Sequence, residues 1–270
     1  MNRLRLLAGL VLFLSMTVSG QDTKLSSFDL AEFNKNVFVA EWLFQYDQIA
    51  WRTSDIVMKQ SRAEIKRLGG EWFCFQAPDK KWHAIYGKYS KNKFDQVFHY
   101  VVNSAFKITR VYTRIDTTIV NSYSRALITA NKEIKSIKDS ARIMFNQYIR
   151  KNDDKTFTVW IFPAFQPNRN AVFGGEFIFT IDQHGNQILK NNSYFLGGFK
   201  AFKVDKPRPI RIEYKETEKP TLGSIFYAWY YKKYFTDIMI VNKNHMSALV
   251  KEDNGTYSWM HLEKPSENVK

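Results

Sequence analysis

Apolar residues recur at Phe33, Val37, Ala40, Phe44 and Trp51, in steps close to one or two helical turns. This spacing predicts one or two helices running up to Gly69-Gly70, with a break near Arg52-Thr53-Ser54. Ser26 or Ser27 is placed to cap the start, and Asp29 falls in the first turn, where a negative charge meets the positive end of the helix dipole.

From Glu71 the period shortens. "EWFCFQ" and "WHAIYGKY" are runs of strand-forming residues joined by "APDKK", whose Pro78 and Asp79 signal a turn. "FDQVFHYVV" and "FKITRVYTRI", separated by Asn103-Ser104, read as a second hairpin. The helical period then returns over 117–150, with a stripe at Ile119, Tyr123, Ala126, Leu127, Ala130, Ile134, Ile137, Ala141, Phe145, Tyr148 and Ile149 and room for a bend at Ser136. After the polar "RKNDDK", the strand candidates are "TFTVWIFPAF", "GEFIFTI" and "NQILK". Pro163 marks the first of these as an edge strand or a bulge. "PIRIEY" adds a strand, "TLGSIFYAWYYKKYF" a short aromatic helix, and "DIMIVN", "HMSALVK" and "TYSWMHLE" a closing meander.

Strand runs interrupted by helices, without strict alternation, indicate an α+β fold. The expected architecture is antiparallel sheets of hairpins packed against a long central helix and N-terminal helices. No repeat or linker divides the chain, so residues 21–270 are expected to form one compact unit.

The first twenty residues change the picture of where this unit works. "MNRLRLLAGLVLFLSMTVSG" has a basic start, a short apolar run and small residues before Gln21, the three parts of a secretory signal peptide. Its apolar run falls short of the about 20 residues that span a bilayer, and cleavage is expected after Gly20. Loss of Arg3 and Arg5 lowers the formal charge from +14 to +12, still strongly basic. The single cysteine excludes an intramolecular disulfide, which favours a bacterial exported protein, periplasmic or secreted, over a eukaryotic one. The triplets at Asn191 and Asn254 would matter only in a eukaryotic source.

Candidate chemistry is sparse. Cys74 and His83 would face each other across the first hairpin only if four residues formed its loop. A three-residue loop pairs Phe75 with His83 instead and sends the thiol to the other face. Cys74, between two phenylalanines, reads as a small core residue. The five histidines, at 83, 99, 184, 245 and 261, never fall in a metal-binding frame. Phosphate-binding glycine loops and a serine nucleophile elbow are missing, so no catalytic residue, metal or cofactor is assigned. Carboxylates such as Glu41, Asp55, Glu71 and Glu176 could still converge in space.

Lysines are spread through nearly every segment and mixed with acids, which describes a solvated surface better than a nucleic-acid face. Nucleic acid is therefore not expected as a partner, and an envelope polymer or a protein is preferred. Aromatics reach 16% of the chain and crowd into "FYAWYYKKYF". Seven rings in ten helical positions exceed one buried stripe, so Tyr227, Trp229, Tyr230, Tyr231 and Tyr234 are the candidate binding residues. The expected function is a non-catalytic binding or structural module of the bacterial cell envelope. The alternatives are a secreted hydrolase with a site assembled from distant residues, and a peripheral binder of anionic membrane.

Overall fold

A computed structural model describes residues 28–264. The expected leader at 1–20, with Ser26 and Ser27, lies outside the described residues. The chain is α+β. α1 (Leu30–Val57) and α2 (Arg62–Ile65) precede a four-stranded antiparallel sheet, β1 (Trp72–Gln76), β2 (Trp82–Ser90), β3 (Lys93–Val102) and β4 (Ile108–Arg110). α3 (Thr117–Glu133) and α4 (Lys135–Ala141) lead into a second sheet. It orders β5 (Phe145–Lys151), β6 (Phe157–Pro163), β7 (Asn170–Ile181) and β8 (Ile188–Asn191), with β9 (Tyr194–Lys203) also paired to β7. The third sheet orders β10 (Ile210–Tyr214), β11 (Ile238–Asn242), β12 (His245–Lys251) and β13 (Tyr257–Glu263). α5 (Leu222–Tyr231) crosses between the parallel pair β10 and β11. Among the described residues no helix is long and apolar enough to cross a membrane.

α1 is capped by Asp29, whose side chain accepts from the Glu32 N–H at 2.9 Å. The helix does not break at 52–54, contrary to expectation. Thr53 turns inward there, its hydroxyl bonding the Ile49 carbonyl and the Tyr86 hydroxyl, both at 2.7 Å. The buried stripe is Phe33, Ala40, Leu43, Tyr46, Asp47, Ile49, Ala50, Thr53 and Val57, so Trp51 falls outside it and is 67% exposed.

The long central helix is shorter than its stripe suggests. α3 buries Val120, Tyr123, Ala126, Leu127 and Ala130, whereas Ile119 is exposed. α4 ends where Arg142 adopts a left-handed conformation at φ 52°. Residues 145–151 are then a strand, because Phe145, Tyr148 and Ile149 fit a pleated surface as readily as a helical face and β6 offers a full ladder to pair with.

Three other elements differ from what their sequence signals suggest. β6 is paired on both sides, so it is not an edge strand, but its ladder to β7 stops at Ile161 and Pro163 pairs only with Phe145. That exit is made by β7, which shifts register between Phe173 and Gly175 to run alongside β9. Gly174 holds the bend at φ +111°, where the carbonyl of Gly198 would lie 2.6 Å from any added Cβ. β9 itself, in a stretch where Gly197-Gly198 signals a turn, is a ten-residue strand. Only Ile108–Arg110 of "FKITRVYTRI" is strand.

One apolar core gathers α1, α5 and the inner faces of all three sheets. A second lies under α3, between β1, β2, β6 and β7.

Candidate functional site

The first hairpin answers the cysteine question by register. Ala77 N–H bonds the Lys81 carbonyl at 2.9 Å, and Lys80 takes a left-handed conformation. Pro78, Asp79 and Lys80 thus form a three-residue loop, pairing Phe75 with His83 and Cys74 with Ala84. Cys74 is buried, its N–H donates to the Tyr46 hydroxyl at 2.7 Å, and burial pushes its thiol well above the usual range. On the opposite face His83 stacks on Phe75 and meets His99, Nδ1 to Nε2, at 2.8 Å. His99 Nδ1 lies 3.1 Å from the Thr113 carbonyl, which can only accept. His99 therefore carries its proton on Nδ1, and His83 donates from Nδ1 to His99 Nε2. Cys74 and His83 are separated by the sheet itself.

The five aromatic candidates do not form one surface. Tyr227 and Tyr231 are buried. Tyr230 is half-buried and directs its hydroxyl to Asp47. Trp229 is half-buried with the Lys232 ammonium 3.1 Å from its ring centre, and Tyr257 covers the same ammonium at 4.7 Å. Desolvation lowers the Lys232 pKa to about 8. Tyr234, 40% exposed, is the one surface-facing member of the five, its ring 5.7 Å from that of Phe165.

α5 is instead held by two buried carboxylates that sequence reasoning did not single out as a pair. Asp47, on α1, accepts from Asn146 Nδ2 at 2.9 Å, from the Tyr148 hydroxyl at 3.1 Å and from Tyr230. Glu176, just after the bend in β7, accepts from the Gly223 N–H and the Thr221 hydroxyl at the start of α5. Gly223 is required there, because a Cβ would lie 2.7 Å from that of Glu176. Glu176 Oε1 is buried without a partner. Neither carboxylate has a cation within ion-pair distance among the described residues. Burial accordingly raises Asp47 to about 6 and Glu176 to about 7, each partly offset by its hydrogen bonds. The cavity beside them, lined by Asn146, Tyr148, Tyr214, Gly223, Tyr227 and Tyr230, has a volume of about 20 Å³. That is room for one water molecule, not for a substrate. The signal for Asp47 lay in the sequence, as an acid one position along from Tyr46 inside the apolar stripe of α1.

The open spaces lie elsewhere. A depression of about 360 Å³ runs between α3–α4 and the start of β1 and β5, and a second of about 440 Å³ adjoins it along the face of α3 and α4. Both are lined by Ile128, Asn131 and Lys138. Glu71, Trp72, Phe145 and Gln147 wall the first, and Lys132, Lys135 and Asp139 the second. Volumes of this order fit small ligands or a few units of a chain. Nothing local in the sequence marks this cleft, because α4 and β5 share one helical period. No group of three or more His, Cys, Asp or Glu side chains among the described residues converges to hold a metal ion.

Comparison with protein-family models, with curated proteins and with solved structures gave no significant match.

Proposed function

We propose that this chain is an exported, non-catalytic binding module of the bacterial cell envelope that holds a polymer in the cleft between α3–α4 and the β1–β5 junction. The observation that supports this is the contrast between its two kinds of space. The cleft is open, of ligand size, and mixes apolar walls with amide and ammonium groups. The carboxylates with raised pKa sit instead beside a one-water cavity, where they hold α5 in place. Export rests on the leader-like first twenty residues.

The hydrolase reading keeps one specific point in its favour, because two carboxylates raised to about 6 and about 7 resemble a general acid and base. One assay separates the two readings. The purified chain is incubated with isolated cell-wall polysaccharide, and both co-sedimentation and released reducing ends are measured. Retention without turnover is expected. Turnover that is lost in Asp47→Asn or Glu176→Gln would install the hydrolase reading, and absence of retention would end the binding one.

A further inference from the structure

The cleft contains an ammonium group that the protein does not neutralise. Lys138 lines both depressions and is half-buried. Its Nζ donates to Asn131 Oδ1 at 2.7 Å and lies 5.7 Å from the centre of the Phe145 ring. Its neighbour Lys135 is paired with Asp139, but no carboxylate comes within ion-pair distance of Lys138 among the described residues. Glu71 lines the same depression and is engaged by the Tyr89 N–H at 3.2 Å.

The position of this ammonium is set by a relay of amides. Gln147 Nε2 donates to the carbonyls of Gly70 at 3.2 Å and Trp72 at 3.3 Å, which leaves its Oε1 to accept from Asn131 Nδ2 at 2.9 Å. Asn131 Nδ2 also reaches the Leu127 carbonyl at 2.8 Å. Both amide orientations are thereby fixed, and Asn131 Oδ1 is left as an acceptor aimed at Lys138. An ammonium has three donors, and this one directs a single donor to Asn131. A neutral donor would satisfy Asn131 equally well, so the charge is surplus to the scaffold. Burying such a charge without a counter-ion is unfavourable, and an incoming oxyanion offsets that cost.

We propose that Lys138 is the anion-binding centre of this cleft and that its ligand is an acidic glycan, a sugar chain carrying carboxylate or phosphate groups. The assignment rests on the binding-module reading and names its ligand class. Ile128 and the partly exposed Phe145 offer apolar surface to ring faces near the ammonium, while Lys132 lies along the second depression, beside the Lys135–Asp139 pair, and attracts the same charge.

The test is calorimetric titration of the full chain with four probes: an oligogalacturonate, a neutral glucan oligosaccharide of equal length, a single-stranded nucleic acid of matched charge, and inorganic phosphate. The variants are Lys138→Gln, which keeps a donor for Asn131, and Lys138→Arg, which keeps the charge. The oligogalacturonate is expected to bind the wild type and to bind Lys138→Gln about ten- to hundredfold more weakly, the loss expected for a hydrogen bond to a charged group. Lys138→Arg should stay within a few-fold of wild type, and an unchanged Tm would show that both variants fold. A phosphate-bearing glycan in place of the oligogalacturonate distinguishes the two oxyanions, and tight binding of either one upholds the proposal. Equal binding of the neutral glucan, binding of inorganic phosphate alone, tighter binding of a single-stranded nucleic acid of matched charge, or an unaffected Lys138→Gln would each overturn it. If cell-wall polysaccharide is still retained by Lys138→Gln, the site assignment fails while the binding-module reading stands. If the wild type retains none, that reading fails first.

Discussion

The two carboxylates that hold α5 should make the protein less stable as pH rises, against the common direction for acidic groups. Asp47 is raised from 3.8 to about 6 and Glu176 from 4.5 to about 7, both chiefly by burial. In the unfolded chain both return to ordinary values. Between about pH 4 and pH 7 the folded state therefore holds protons that the unfolded state has released, and stability falls as pH increases. At about 1.4 kcal/mol for each tenfold change in proton affinity, each group accounts for about 3 kcal/mol by pH 8. This is an upper bound, because an ionising carboxylate can draw water into the cavity beside it. Three histidines act in the opposite sense: the half-buried His83 and His261 and the buried His99 are all lowered, chiefly by desolvation, so their contribution grows as they lose protons through the same range. The measurement must therefore be a difference between variants. Urea unfolding of wild type, Asp47→Asn and Glu176→Gln at pH 5 and pH 8 isolates each carboxylate. The first substitution keeps an amide oxygen for Asn146 and Tyr148, and the second keeps one for Gly223 and Thr221, so the neutral scaffold survives. Relative to wild type, each variant should gain about 1–3 kcal/mol on going from pH 5 to pH 8. A wild-type-minus-variant difference that does not change with pH, or changes with the other sign, would refute the reasoning.

Other expectations are simpler. Cys74 should resist thiol reagents in the folded protein and react at once on unfolding, and Cys74→Ser should cost about 1–3 kcal/mol by burying a hydroxyl without an assured partner. Rapid labelling of the native chain would contradict its placement in the core. Gly223→Ala should destabilise by about 1–3 kcal/mol through collision with the Cβ of Glu176, and pairing it with Glu176→Gly, which removes that Cβ, should recover part of the loss in a thermal melt. Tyr227→Ala and Tyr231→Ala should each cost about 3–5 kcal/mol, whereas Tyr234→Ala should cost less than about 1 kcal/mol. Equal losses at all three would show that Tyr234, beyond the end of α5, is as much a core residue as the other two.

What could be read from the chain divides along the range over which the physics acts. The first hairpin, the aromatic helix α5 and the final meander were legible because alternation, a capping residue and turn dipeptides are local signals. The segment after Ala141 was not, since Phe145, Tyr148 and Ile149 satisfy a helical period and a strand period alike. Only the ladder offered by β6, a later part of the chain, decides between them. β9 was not marked in the sequence, because Gly197-Gly198 fit a turn or a strand entry in isolation but lie inside a strand once β7 bends to meet them.

The same division explains why the candidate residues moved. A crowded aromatic helix invites a surface reading, because seven rings cannot share one stripe. α5 resolves the crowding differently: it is packed between α1, β7 and β11, so Tyr227 meets Phe173, Tyr231 meets Phe165, and Tyr230 gives its hydroxyl to Asp47. Asp47 and Glu176 lie far apart in the chain and meet only through that helix. Lys138 was still less visible, since a lysine on an expected solvent face needs no account. It became a candidate when α4 ended at Arg142 and β5 brought Gln147 under Asn131, turning a surface lysine into an oriented charge at the wall of an open cleft. The binding chemistry proposed for this protein thus depends on where a helix stops, and that is a tertiary property.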